Sequence, residues 1–434
     1  MKGSADQSVS LSLPADISWV PLVQSVIENG APVFGLPRNK AMMLALSAEE
    51  IVVHLAGIAR GTRIDFRLEP GGWHVLCKFS FKADPSDLWA MNLVTKTDVL
   101  EEIDNLGLLV AVRAVDGFTL GLEGETLHLT LRKDRDYPVV KPGPIEPVDT
   151  RGDLTIVRDP EPELIKAACI KALGIYTRDV VPRSFVTPGM VVDMVEQMDL
   201  EIAIAVDEIG VLAGMICWQA SSEQGIGFSG PYVFVKDDRA GEILTDHLIN
   251  TVARTRAMGL FSDSATSSLV TEGFESLGHL NMIQTDGRTV KQEVWYRHLK
   301  EDVGASVWAH RAYAEFLRTA YDRQVLMRDL KIVEGQIEGK GERLPERSVF
   351  SVELRADAGK ATLSPMVTGL DAAQCISRHV ETLLRENFFN IFIPIDLAHG
   401  WQAAMGQAIM DNGFVPRMVL PHGGKSDVLV FQHG

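Results

Sequence analysis

The chain has 434 residues, too many for one hydrophobic core, and its 46% hydrophobic and 23% charged residues exclude global disorder and a fibrous architecture. A formal charge of -16, from 42 basic and 58 acidic side chains with no compensating basic run, would repel a phosphate backbone, so no nucleic acid partner is expected. Residues 1–12 lack a signal peptide's apolar core and the apolar run Gly107 to Val115 is short and broken by Arg113, so no membrane span is expected and the chain is placed in the cytoplasm.

From Leu11 to Lys133 the order reads as strand, two helices, strands, a helix and more strands, with period-two alternation over Arg63 to Leu68 and Trp73 to Phe81. This predicts an α+β domain over residues 1–135. Pro138, Pro142, Pro144 and Pro147 then mark residues 136–153 as a linker, since proline removes donors and disfavours helix. A strand at Leu154 to Arg158 opens the next domain, 154–300. It continues with helices at Glu163 to Leu173 and Pro188 to Met198, and strands at Glu201 to Val206, Val211 to Ala220 and Tyr232 to Val235. A helix from Gly241 to Met258, a strand at Leu260 to Asp263 and a helix at Leu269 to Leu277 complete an α/β alternation.

Residues 301–434 repeat that order in shortened form. A helix is expected through Val307 to Arg328, a loop over Asp329 to Arg347, and strands at Val349 to Leu354, Ala361 to Pro365, Ile391 to Asp396 and Asp427 to Gln432. Helices are expected at Asp371 to Glu386 and Gln402 to Asn412. The four cysteines are far apart in apolar surroundings and read as reduced core residues, and the eleven histidines lack metal-ligand spacing, so no metal site is expected.

The stretch Ala41 to Ala59, AMMLALSAEEIVVHLAGIA, followed by two strands and by Ile103 to Phe118, resembles the anti-sigma-factor kinases of the GHKL ATPase superfamily over Leu11 to Lys133. The resemblance implies an α/β sandwich binding ATP through a helix glutamate, an asparagine four residues on, an aspartate followed by glycine, and a glycine-led phosphate loop. Glu50 and His54 hold the first two places, Asp84 or Phe81 in FKADPSDL the third without its glycine, and Gly107 remains of the phosphate-loop pair. Magnesium prefers oxygen to imidazole nitrogen, which argues against ATP with magnesium. A ligand-free reading of Glu50 and His54, as a solvated helix edge, stands equally open.

From Leu154 to Ile283 the element order resembles the GNAT acyltransferases, with SGPYVFVKDDRAGEI carrying the matching motif. The resemblance implies acetyl-CoA as cofactor, its pyrophosphate on amides at a helix N-terminus. The implied acyl-CoA residues are Val233 and Val235 on the strand and Arg239, Ala240, Gly241, Glu242 and Ile243 in the loop. Glu242, with Asp237 and Asp238 before the loop, opposes phosphate. The family's proton-donating tyrosine is matched by Phe274, which has no proton to give, leaving His279 as the replacement acid and Glu223 or Asp207 as base. All three also read as structural or solvated side chains. GIGFSG at Gly225 to Gly230 reads as a turn in preference to a nucleotide loop, and Trp295, Tyr296, Trp308 and Tyr313 as packing.

The fold class expected is therefore α/β (α+β), an ATPase-like sandwich followed by tandem GNAT-like domains, the second shortened and covering a sheet edge of the first. The function expected is regulatory, through binding of a protein partner or small molecule at eroded ATP and acyl-CoA sites. The alternative is an acyl-CoA-dependent N-acetyltransferase with a sensing or docking module, and a serine kinase ranks last. Homo-oligomerisation is left open.

Overall fold

The computed structural model describes residues 8–82, 92, 114–123, 126–284, 287–333, 344–355 and 358–434. The chain is mixed α/β and divides into two compact units, Met1–Asp136 with Glu338–Ile393, and Tyr137–Ile337 with Pro394–Gly434.

The first unit starts with a five-stranded antiparallel sheet in the order β1-β2-β3-β5-β4. Its strands are β1 (Val9–Pro14), β2 (Arg63–Pro70), β3 (His74–Phe81), β4 (Gly117–Glu123) and β5 (Thr126–Asp134). The alternation seen in the sequence sets its faces: Ile64, Phe66 and Leu68 are buried opposite Phe81, Phe79 and Cys77, while Arg63, Asp65 and Arg67 point out. Two helices, α1 (Val20–Val33) and α2 (Arg38–Ile58), share a core with that face through Ile27, Ala31, Leu44, Ile51 and Leu55. By length and composition α2 could cross a membrane, but Leu44, Ala48, Ile51 and Leu55 recur at helical spacing and are fully buried, as in a core helix.

The second unit begins with β6 (Thr155–Val157), α3 (Pro162–Ile175), α4 (Pro188–Glu196), β7 (Glu201–Val206), β8 (Leu212–Ala220) and β9 (Gly225–Val233). It continues with α5 (Arg239–Val252), β10 (Gly259–Ala265), β11 (Glu275–Ile283) and β12 (Thr289–His298). The seven strands form one sheet, β11-β12-β10-β9-β8-β7-β6, antiparallel throughout except for the parallel pair β9/β10. One core holds α3 and α4 with Met215, Tyr232 and Phe234, and another holds α5 with Ile216, Phe228 and Leu260.

Two expectations in this region are corrected. Gly225 to Gly230 is strand, not turn: Phe228 is fully buried and pairs with Trp218, and a Cβ at Gly227 would lie 2.5 Å from the Asp263 carboxylate, which would have to shift. The helix expected at Leu269 to Leu277 is absent. Turns closed by Leu269 N–H on Thr266 O and Phe274 N–H on Thr271 O lead instead into β11, with Leu269, Phe274 and Leu277 buried.

A parallel pair follows, β13 (Ala305–His310) and β14 (Arg328–Val333), joined through α6 (Ala314–Arg323). The expected helix thus starts later than Val307, because Val307 and Ala309 are buried in alternation as strand residues, and the expected loop opens as strand β14. The chain then returns to the first unit with β15 (Val349–Arg355), β16 (Lys360–Val367) and α7 (Ala372–Arg385), leading into β17 (Asn390–Asp396), within which the last division of the units falls. Asn92 donates to Ser348 O and accepts from Phe350 N–H, both at 2.8 Å, tying β15 to the first unit. His379 on α7 is fully buried edge-on to Phe350, ring centroids 5.6 Å apart, and neither ring nitrogen meets a partner among the described residues.

The second unit closes with α8 (Gly400–Ala404), α9 (Gly406–Asp411), β18 (Phe414–Leu420) and β19 (Val428–His433). The single helix expected at Gln402 to Asn412 is two short ones, and β18 was not anticipated because Pro416 sits at a break in its register with β19. The edge of β11 is covered here: Asn281 N–H donates to Gln432 Oε1 at 3.1 Å and Gln432 Nε2 donates to Asn281 O at 2.6 Å. All four cysteines are buried free thiols, and burial pushes Cys217 and Cys375 up to about 12.

Candidate functional site

The turn between β9 and α5 brings Arg239, Ala240, Gly241, Glu242 and Ile243 into the first turn of a helix, the right place for an anion. Its amides, however, are already engaged. Arg239 N–H donates to the Asp237 carboxylate at 3.0 Å, Ala240 N–H to Asp237 O at 3.2 Å, and Gly241 N–H to Asp238 O at 3.0 Å. The Arg239 guanidinium turns onto the same carboxylate, Nη2 at 2.7 Å and Nε at 3.0 Å, and holds the Asp237 carboxyl below its ordinary pKa. A fixed negative charge therefore sits where a phosphate would. Ala240 and Gly241 are buried and Glu242 is exposed. A Cβ at Gly241 would collide with the Ser268 carbonyl oxygen, so glycine here admits the chain's own loop.

The segment expected to be a linker crosses this end of the sheet. Val148 N–H donates to Phe234 O at 3.2 Å and Lys236 N–H to Val148 O at 3.0 Å, giving a parallel bridge from Val148 to Val235. Thr150 Oγ1 donates to Asp237 at 3.3 Å, and Arg151 N–H to Asp207 at 3.0 Å. The main-chain N–H and C=O of Val233, on the opposite side of β9, both meet the Tyr176 hydroxyl, at 2.8 and 3.1 Å.

The acid and base candidates are not gathered here. Glu223 is exposed in the turn before β9, and nine strand residues at about 3.3 Å each put it roughly 30 Å from the α5 N-terminus. His279 lies on edge strand β11, with β12 and β10 between it and β9. Asp207 is a turn organiser: burial pushes its carboxyl up, but N–H donors from Val211, Arg151 and Ile209 outweigh that and hold it below the usual range, making it a poor base. Phe274 packs on Phe228, centroids 5.9 Å apart, with the Arg297 guanidinium over its ring.

In the first unit, Glu50 and His54 are half-buried on α2. His54 Nε2 is a buried atom without a partner among the described residues, and burial lowers the ring's pKa. A neutral imidazole there does not fit magnesium. Asp84 and Gly107 lie outside the described residues.

Sequence reasoning missed Tyr176, because a lone tyrosine after a helix gives no signal of a partner 57 residues away. It also missed a buried ion cluster. Arg328 reaches Asp427 through Nε at 2.6 Å and Asp302 through Nη2 at 2.8 Å, and His422 Nε2 lies 2.9 Å from Asp302. The Arg328 and Asp427 side chains are each 1% exposed and fully paired, which marks the cluster as structural. Burial pushes the Asp302 carboxyl up, but Arg328 outweighs it and holds the carboxyl far below its ordinary range.

No protein-family model and no curated protein matches the chain. Solved structures similar to about a third of it are GNAT acetyltransferases. A GNAT-superfamily phosphinothricin acetyltransferase from Sinorhizobium meliloti, solved with AcCoA, is 16% identical over 35% of this chain and 90% of that one, with a TM-score of 0.29. A putative acetyltransferase from Acinetobacter baylyi is 17% identical over 36% and 97%, at 0.29. An N-acetyltransferase from Staphylococcus aureus is 11% identical over 34% and 97%, at 0.27.

Proposed function

We propose that residues 154–298 carry a GNAT-type fold whose acyl-CoA cradle is closed from within. On this reading the chain is a cytoplasmic regulatory protein that binds a protein partner or small ligand. Its first unit is an ATPase-like module of the anti-sigma-kinase type with an altered nucleotide site. One observation carries the reading: the Asp237 carboxylate, paired with Arg239, occupies the N-terminus of α5. The Ser268 carbonyl against Gly241 and the loss of the helix that would follow β10 support it. The residues present do not fit a bound acyl-CoA pyrophosphate. The N-acetyltransferase alternative draws on the parallel β9/β10 pair and on helix α5 that connects the two strands, both of which are intact.

Calorimetric titration with acetyl-CoA separates the two. The wild-type protein is expected to show no saturable binding, and Asp237→Ala to gain affinity by about tenfold or more, because an unneutralised helix N-terminus favours an anion. Tight binding by the wild type, undiminished at the Asp237 end, would replace this reading with the enzyme.

A further inference from the structure

β13 and β14 form a sheet of only two strands, an arrangement with little stability of its own in water. One edge is occupied, since Trp308 N–H on β13 donates to Leu397 O at 2.8 Å. Among the described residues, no strand pairs with the other edge, that of β14. Ala305 N–H donates to Met327 O at 3.2 Å, and successive residues of a strand aim their N–H and C=O to alternate sides. The main chain of Asp329 and Lys331 therefore faces β13, while Arg328, Leu330 and Ile332 offer an N–H and a C=O each to the outside.

The side chains select what can pair there. Asp329 and Lys331 are exposed on one face of β14, where Asp329 accepts from Ser306 Oγ at 3.4 Å and the Lys331 ammonium lies 5.8 Å from the centre of the Trp308 ring. An edge carrying a single sign of charge repels a second copy of itself. Here both signs are present: the strand laid antiparallel on its own copy about Leu330 sets each Asp329 opposite the other copy's Lys331. These are the pairs without main-chain bonds, where side chains come closest. The same register pairs Leu330 with Leu330 and Arg328 with Ile332, the residues whose main-chain groups point outward. Centring the pairing on Asp329 or on Lys331 instead would set like charges opposite each other. Met327, 70% exposed just before β14, adds an apolar side chain at each end of the paired strands.

We propose that β14 is a self-pairing edge, on which a second copy of this chain adds its own β14 antiparallel about Leu330, so that the two small sheets become one across a twofold axis. The strand is short and its charge pairs are exposed, so the dissociation constant is on the order of 10–100 µM and rises as salt screens the pairs.

The test is sedimentation velocity of the full chain from about 1 to about 300 µM, a range that brackets that constant. It compares wild type, Asp329→Lys, Lys331→Asp, the double exchange of both, and an equimolar mixture of the two single variants. Wild type is expected to dimerise as concentration rises. Each single reversal sets like charges opposite and weakens the dimer at least about tenfold, whereas the double exchange regains it and the mixture regains it as a heterodimer. Hydrogen exchange of the wild type decides the matter if a variant fails to fold: Leu330 and Ile332 amides should exchange at least about threefold more slowly at the top of the range, where the dimer covers them. A wild type that stays monomeric overturns the proposal and leaves the edge to a strand of another protein. A dimer indifferent to the single reversals, a loss that the double exchange does not reverse, or Leu330 and Ile332 exchange independent of concentration overturns it as well.

Discussion

Replacing His379 by leucine should remove a pH dependence from the first unit. The imidazole is fully buried, burial lowers its pKa to about 3, and Arg378 adds to the shift. The folded state therefore keeps the ring neutral, while an unfolded chain protonates it near the ordinary 6.5. Between those values the unfolded state binds the extra proton, so stability is full above pH 6.5 and falls as pH drops toward 3. At about 1.4 kcal/mol per unit, the wild type loses roughly 3 kcal/mol between pH 6.5 and 4 that His379→Leu should keep. At neutral pH the variant should be more stable by about 1 kcal/mol or more, since two unpaired buried nitrogens leave with the ring. Hydrogen exchange of α7 peptides at pH 4 to 8 reads this locally, without unfolding of the second unit entering. Parallel pH profiles for wild type and variant would refute the argument.

Arg328→Met leaves Asp302 and Asp427 buried without their cation, and should destabilise the second unit by about 3 kcal/mol or more, read by urea denaturation. Asp302 should also cease to lose stabilisation as pH falls below the usual carboxylate range, because its lowered folded pKa depends on Arg328. Gly241→Ala should cost about 1–3 kcal/mol, since its methyl meets the Ser268 carbonyl, and an unchanged melting temperature would show that the loop yields freely.

Much of the fold was legible in the sequence where the period was clean. Alternation over Arg63 to Leu68 and Trp73 to Phe81 marked β2 and β3, and the helix expected at Asp371 to Glu386 is α7. It failed where a tertiary contact overrode a local signal. Gly225–Val233 contains three glycines and a proline, a turn-like composition, yet it pairs as a strand with β8 and β10 and buries Phe228. At the candidate site, the sequence showed that Asp237 and Asp238 oppose phosphate. It could not show that Asp237 turns back onto the helix, or that Tyr176 reaches Val233, since neither carries a periodic or motif signal. Of the residues expected of a nucleotide site in the first unit, Glu50 and His54 lie on α2, and Asp84 and Gly107 lie outside the described residues.

The bridge at Val148 changes how much length variation the proline-rich segment can absorb. From Val148 to Asp153 the main chain of Val148, Arg151 and Asp153 is pinned at Phe234, Lys236, Asp207 and Glu208, so these residues have assigned addresses on the second unit. One extra residue within 148–153 would put every later anchor out of step, whereas the stretch of Pro142, Pro144 and Pro147 just before it has fewer such addresses to lose. Insertions tolerated on one side of Val148 and rejected on the other would mark where slack chain becomes part of the sheet.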